Sequence, residues 1–164
     1  MAAATVDMTA PITTSFSADR AWEMSSPFTK KVRIIDFATA TTLKGSALAQ
    51  NDTLDVVKIP AGSYVQDVIV RNLVVGTAST TAQVGDSATP TGYIVSVALD
   101  AAAQTFNVAS GTLIVGSTIT AMPFGKFYTT ADAVRLTLNN ATAVTMGRIE
   151  VTALIMPVGT GLTI

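Results

Sequence analysis

The carboxylates are the side chains of this sequence best suited to chemistry. Asp52 and Asp55 lie three residues apart at the start of a predicted strand. Asp86 follows a glycine in a predicted turn, and Asp132 directly precedes another strand. Acid-base catalysis would need two of these groups in one pocket with their pKa values pushed apart. Aspartate is also a preferred turn residue, because its carboxylate bonds nearby backbone N–H groups. The positions favour this second role, turn capping and solubility.

Other catalytic and metal-binding groups are scarce. The sequence contains no histidine and no cysteine, which removes thiol nucleophiles, the usual base near neutral pH and the commonest zinc ligands. A serine or threonine nucleophile would therefore lack its base. Calcium needs several oxygen ligands on one loop, and no loop is rich enough in acids. The glycines form no phosphate-binding motif. We predict no enzymatic activity, no cofactor and no bound metal.

Charge and hydropathy limit the partners. Charged residues make up 13% of the chain, about half the usual fraction, so the surface must be polar through uncharged residues or covered by other protein. The net charge is -1, and the basic residues are scattered except for Lys30, Lys31 and Arg33. Direct nucleic-acid binding needs a clustered basic face and is not expected. No apolar stretch predicts a membrane span, and residues 1–5 do not resemble a secretory signal.

Residues 1–31 differ from the rest of the chain. They are rich in Ala, Thr, Ser and Pro, and their apolar residues follow no period of 2 or 3.6. We predict an extended N-terminal arm. Its large side chains either fold back onto the chain's own core or insert into pockets of a neighbouring subunit. We favour the neighbour, because a segment without its own periodicity gains order chiefly by burial against a partner. The candidate contact residues are Ile12, Phe16, Trp22 and Phe28.

Residues 32–164 contain short β-branched runs separated by Gly, Pro, Asn and Asp, which is typical of an all-β domain. No tandem repeat is present, so a propeller or solenoid is not expected. We predict an antiparallel β-sandwich of the jelly-roll type, with an immunoglobulin-like sandwich as the nearest competitor. The predicted strands are 32–38, 53–59, 65–75, 81–84, 93–99, 105–108, 112–115, 133–139 and 143–157.

Two late runs show the clearest strand pattern. Val134, Leu136 and Leu138 alternate with polar residues, as in a half-buried antiparallel strand. Residues 149–155 show the same alternation after Gly147. Because two asparagines with turn chemistry follow the first run, we predict that the two runs pair as a hairpin.

Five segments together resemble the small virion structural proteins of tailed phages, over about residues 52–158. They are 52–62 (DTLDVVKIPAG), 84–86 (VGD), Tyr93, 125–132 (GKFYTTAD) and 136–140 (LTLNN). The resemblance implies a β-sandwich that attaches to the major capsid lattice, commonly as a trimer or dimer, and reinforces the joints between capsomers.

On this resemblance we expect a decoration or cement protein on the capsid exterior of a tailed bacteriophage, assembled in the host cytoplasm. Its expected partners are the major capsid protein and further copies of itself, as a homotrimer or alternatively a dimer. The alternative is a tail- or fibre-associated sandwich that binds host glycans, since exposed aromatic rings form sugar platforms. The candidate rings are Tyr93, Phe124, Phe127 and Tyr128.

Overall fold

The computed structural model describes residues 5–8, 28–76, 80–100, 105–107, 125–140 and 143–158. Ten strands and one helix lie within these ranges. The strands are β1 (Thr5–Asp7), β2 (Thr29–Asp36), β3 (Thr53–Ile59), β4 (Ser63–Val74), β5 (Thr81–Gly85), β6 (Ile94–Ala98), β7 (Thr105–Asn107), β8 (Lys126–Tyr128), β9 (Asp132–Asn140) and β10 (Arg148–Pro157), and the helix is α1 (Phe37–Lys44).

The strands form two sheets. Sheet A has the order β1-β3-β9-β5-β6, and sheet B has the order β2-β10-β4-β7, with β8 also paired to β4. The described pairings are antiparallel except for the parallel pair β1-β3. The buried apolar residues of both sheets form one core cluster. The predicted all-β antiparallel sandwich is thereby confirmed, while its jelly-roll connectivity stays a prediction.

The alternating patterns identify the buried faces correctly. Val134, Leu136 and Leu138 of β9 are buried, and so are the alternate residues of β10 from Ile149 to Ile155. The predicted hairpin between these strands is wrong, because β9 pairs with β3 and β5 whereas β10 pairs with β2 and β4. Alternation indicates only that one face of a strand is buried. Here β9 lies in sheet A and β10 in sheet B, and the buried faces of both strands contribute to the same core.

Helix α1 was not predicted, because the predicted strand 32–38 continues into it. The strand ends at Asp36, whose carboxylate accepts the backbone N–H groups two and three residues further on, at 2.9 and 3.4 Å. Gly45 ends the helix with a φ of 76°, a left-handed conformation that favours glycine. Phe37 and Ala40 pack into the core. An aspartate cap and a glycine stop therefore override the β-branched content of this short segment.

The sheets extend into the predicted arm of residues 1–31. Strand β1 pairs with the beginning of β3, Thr5 lying opposite Thr53, and β2 begins at Thr29. Phe28 is half-buried directly before β2. Ile12, Phe16 and Trp22 lie outside the described residues, as does the predicted strand 112–115.

Candidate interaction surface

A buried carboxylate connects the turn after β5 to strand β8. Asp86 is fully buried. Its Oδ1 accepts the backbone N–H groups of Ala88 and Thr89 at 3.0 and 2.7 Å. Its Oδ2 accepts hydrogen bonds from Lys126 Nζ at 2.5 Å and from the Tyr128 hydroxyl at 2.7 Å. One side chain therefore caps its own turn and holds β8 beside it.

Two tyrosine hydroxyls continue this network into the core. The hydroxyls of Tyr93 and Tyr128 lie 2.6 Å apart, and both side chains are buried. Because Tyr128 uses its one hydrogen toward Asp86, Tyr93 donates to Tyr128. Burial raises the pKa of both tyrosines well above the ordinary value. Both therefore stay neutral hydrogen-bond donors at neutral pH.

The glycine before Asp86 is required by close backbone packing. A Cβ built on Gly85 would lie 1.9 Å from the backbone oxygen of Thr89 and 2.5 Å from the carbonyl carbon of Pro90. Such contacts do not occur between real atoms, so the turn folds back onto a position that has no side chain. This explains the glycine-aspartate pair of residues 85–86 in physical terms.

Separate motifs of the sequence thus meet in one place. The turn at Asp86, Tyr93 and the 125–132 segment share the network, and Asp132 of that segment accepts the Ser87 hydroxyl at 2.8 Å. Burial alone would raise the pKa of Asp86, but hydrogen bonds from Lys126, Tyr128 and the backbone outweigh it, and the pKa is lowered. A lowered pKa suits a structural carboxylate and not a proton donor at neutral pH. The motifs therefore position loops.

The remaining two candidate carboxylates are also structural. Asp52 is buried, accepts the backbone N–H of Ala49 at 2.7 Å and pairs with Lys44 of α1. Asp55 pairs with Arg135 through two bonds of 2.6 and 3.1 Å, and this contact raises the pKa of Arg135. Turn capping agrees with the expected structural role of the acids, whereas their ion pairs with Lys44, Lys126 and Arg135 were not predicted. Over the described ranges, no three His, Cys, Asp or Glu side chains form a group that could hold a metal.

Two of the four aromatic candidates for sugar binding are buried. Tyr93 and Tyr128 are 0% and 4% exposed, and their hydroxyls belong to the buried network. Phe127 is exposed, and Phe124 lies outside the described residues. A sugar platform needs exposed rings, so Tyr93 and Tyr128 are excluded from that role.

An exposed apolar surface lies at one end of the sandwich. The structure describes seven large apolar side chains that are exposed. Four of them, which we call the apolar end, are Leu43 on α1, Val74 and Val75 at the end of β4, and Met146 before β10.

The segments that carry the apolar end are in contact. The Thr41 hydroxyl of α1 donates to the backbone oxygen of Val144 at 3.1 Å. A Cβ on Gly147 would lie 2.6 Å from Gly76 Cα and 3.3 Å from the Phe37 ring. Exposed apolar residues on adjoining segments are candidates for an interaction site. The sequence did not predict this surface, because the exposure of its residues depends on how distant segments pack.

Comparison with known structures shows where this fold occurs. A chain described as "Capsid of Ralstonia phage GP4" aligns with a TM-score of 0.51 at 13% identity, covering 79% of this chain and 83% of that one. A chain of the "Cyanophage Pam1 capsid asymmetric unit" aligns with a TM-score of 0.52 at 19% identity, covering 78% and 84%. This chain shares its fold with chains from phage capsids. The resemblance to phage virion proteins that the sequence indicated is confirmed at the level of the fold.

The comparisons of sequence found no match. No protein-family model matches the chain, and neither does any curated protein. Among the residues that the structure describes, no helix has the length and hydropathy to cross a bilayer.

Proposed function

We propose that this chain is a structural protein of a bacteriophage virion, which binds the outer surface of the capsid lattice and cements neighbouring capsomers. The observation that carries the proposal is the fold, which it shares with chains of two phage capsids. The structural roles of the four candidate carboxylates support a binding protein rather than an enzyme. Its partners are the major capsid protein and further copies of itself, on a virion assembled in the host cytoplasm.

Cementing follows from mass action. A protein that binds the assembled shell and not its free subunits shifts the equilibrium toward the shell, in proportion to the logarithm of its concentration over its dissociation constant. Many copies on one lattice act together, so each contact need not be strong.

The apolar end is the proposed contact of the sandwich with the major capsid protein. Its four side chains are 40–63% exposed, and burying them would remove apolar area from water. The low overall charge supports this assignment, because the surface then opposes association less than a highly charged one would.

Removal of two apolar side chains tests this contact. Leu43 and Met146 are the most exposed of the four, at 63% and 57%. The variant Leu43→Ser/Met146→Ser is expected to bind empty shells of the cognate major capsid protein at least ten-fold more weakly in cosedimentation. Surface changes of this kind alter stability by about 0.5 kcal/mol or less each, so urea unfolding should be nearly unchanged.

A matched control lies elsewhere on the sandwich. Ile34 of β2 is 39% exposed and outside the apolar end, and Ile34→Thr keeps a β-branched residue in the strand. The control should bind shells as the wild type does. Equal binding by the double variant and the wild type would refute the apolar end as the contact.

The second proposed contact is the N-terminal segment, through Ile12, Phe16, Trp22 and Phe28. Trp22 is the single tryptophan of the chain, so 5-fluorotryptophan labels one site, and unlabelled shells add no signal. We expect the ¹⁹F resonance to shift and broaden on shell binding. Because buried tryptophans are common hot spots worth about 2 kcal/mol or more, Trp22→Ala should weaken binding about thirty-fold.

The competing arrangement has a different signature. If Trp22 completes the chain's own core, Trp22→Ala lowers the free energy of unfolding of the isolated chain by about 3–5 kcal/mol. The ¹⁹F resonance then stays unchanged on shell binding. That pair of results would overturn the intermolecular role, while Thr14→Ala serves as a control in the same segment.

A further inference from the structure

Strand β2 is an edge of sheet B that carries exposed apolar side chains. Within the described residues it pairs with β10 alone. Its Val32 and Ile34 are 38% and 39% exposed and lie outside the apolar end. The edge of a sheet presents backbone N–H and C=O groups that can pair with another strand, and exposed apolar side chains on that edge favour such pairing. The β2 edge is therefore a candidate surface for a further strand.

Side-chain alternation divides the basic residues of β2 between the two faces of the sheet. Lys30 is exposed on the outer face, together with the two apolar residues. Lys31 and Arg33 lie on the face toward sheet A, where Lys31 Nζ donates to the backbone oxygen of Lys58 on β3 at 3.3 Å. Arg33 also has an interaction partner within its own chain. The outer face of the strand thus carries one basic residue, Lys30.

The outer face of β2 is complementary to itself. Its residues are, in order, Lys30, Val32, Ile34 and Asp36, so that two apolar side chains lie between opposite charges. Antiparallel pairing of two β2 strands about a two-fold axis at Arg33 would place Lys30 opposite the partner's Asp36 and Val32 opposite the partner's Ile34. Each contact occurs twice, because a two-fold interface is isologous. Opposite charges and apolar β-branched residues that face each other stabilise paired strands.

Asp36 can take part in this contact while it caps helix α1. Its Oδ1 accepts the backbone N–H groups of Ala38 and Thr39. Both donors are neutral, so the carboxylate keeps its negative charge, and Oδ2 can accept a hydrogen bond from the partner's Lys30. The long, flexible lysine side chain can reach along the strand to this oxygen.

Other positions of the axis are less favourable. An axis at Val32 would place Lys31 opposite the partner's Arg33, and like charges that face each other destabilise paired strands. An axis at Ile34 would place Val32 opposite the partner's Asp36 and leave Lys30 beyond the end of the partner's strand. With the axis at Arg33, only Arg33 faces its own copy, on the inner face where it already has a partner in its own chain.

We propose that two copies of this chain associate through antiparallel pairing of their β2 edges, centred on Arg33. The two copies of sheet B then form one continuous sheet. This inference rests on the self-association included in the proposed function and assigns a surface to it. Of the trimer and the dimer that the sequence left open, a two-fold contact favours the dimer.

Sedimentation of the isolated full-length chain tests the dimer. We expect a dimer at about 100 μM chain, because a small edge contact belongs at the weak end of the micromolar to picomolar range of protein interfaces. Lys30→Glu would place like charges opposite each other twice in the dimer, so its dissociation constant should be at least ten-fold higher. Arg71→Glu is the control, because it changes the net charge equally at an exposed residue of β4, which β10 separates from β2.

The control variant for shell binding, Ile34→Thr, can be run beside these samples. It keeps a β-branched side chain opposite the partner's Val32, and it leaves the backbone pairing and both ion pairs in place. We therefore expect it to remain a dimer at the same chain concentration.

Engineered disulfides test the register, because the chain contains no cysteine. In a mixed dimer of Val32→Cys with Ile34→Cys, one pair of cysteines lies directly opposite across the strands, at about 4.5–5.5 Å between Cα atoms. A disulfide spans that distance. In a dimer of either variant alone the two cysteines lie on a diagonal, about 7–8 Å apart, which a disulfide does not span without movement of the backbone.

The mixture is therefore the decisive sample. Under oxidising conditions an equimolar mixture should give covalent dimers on a non-reducing gel, whereas each variant alone should stay a single chain. These measurements use no shell, so their failure is separate from a failure of shell binding. A wild-type monomer, which would leave the edge to a strand of another protein, would overturn the proposal. So would a trimer, a dimer that Lys30→Glu does not weaken, covalent dimers of either variant alone, or a mixture without them.

Discussion

Gly85→Ala is expected to prevent cooperative folding or to lower the free energy of unfolding by about 4 kcal/mol or more. The added Cβ would lie 1.9 Å from the Thr89 backbone oxygen. Backbone atoms cannot yield as a flexible side chain does, so the turn from Gly85 to Pro90 must open. Opening the turn also breaks the two hydrogen bonds that Asp86 accepts from backbone N–H groups. Urea unfolding followed by circular dichroism measures the loss.

Gly45→Ala is the matched control for this prediction. Gly45 has a φ of 76°, and its Cβ would meet nothing within 4 Å. Alanine there costs about 1–2 kcal/mol through left-handed backbone strain alone. At Gly85 the constraint is the lack of space for a Cβ. Comparing the two variants therefore separates the cost of backbone strain from the cost of a steric clash. Equal losses in the two variants would contradict the close packing of the turn.

Asp86→Ala is expected to lower the free energy of unfolding by about 3–5 kcal/mol, the range for breaking a buried ion pair. The change leaves the Tyr128 hydroxyl and two backbone N–H groups without their acceptor. Lys126 is 30% exposed and can turn toward water, so the unpaired buried donors account for most of the loss. Asp55→Asn, which breaks the partly exposed pair with Arg135, should cost about 1 kcal/mol or less.

The pH dependence of the stability of the wild type and of Asp86→Asn checks the role of the charge. The pKa of Asp86 is lowered from its ordinary value of 3.8, so the folded protein holds this proton less tightly than the unfolded chain does. Its contribution to stability is complete above 3.8 and is lost as the pH falls through the folded-state pKa. The difference in unfolding free energy between wild type and Asp86→Asn should therefore shrink from pH 6 to pH 3. A constant difference would contradict an ionised Asp86.

The sequence predicted what depends on local patterns. The alternation in β9 and β10 identified buried positions such as Leu136 and Val151, because side-chain direction in a strand has a period of two. Residues 53–59 form β3 as predicted. The pairing of β9 and β10 was wrong because the partner of a strand depends on distant segments, which periodicity does not identify.

The polar network could not be predicted from the sequence for the same reason. Tyr93 and Tyr128 are 35 residues apart, and Tyr128 and Asp86 are 42 apart. Each motif could be recognised alone, but their convergence depends on β8 pairing with β4. Contacts of this kind therefore exist only after folding.

Cryo-electron microscopy of shells of the cognate major capsid protein, with and without this chain, tests the central proposal most directly. The difference map should show density for the sandwich on the outside of the shell, at symmetry-related positions that span joints between capsomers. The Leu43→Ser/Met146→Ser variant should give weaker density at these positions. Shells without added density, or with density on the inner surface, would contradict a cement protein of the capsid exterior.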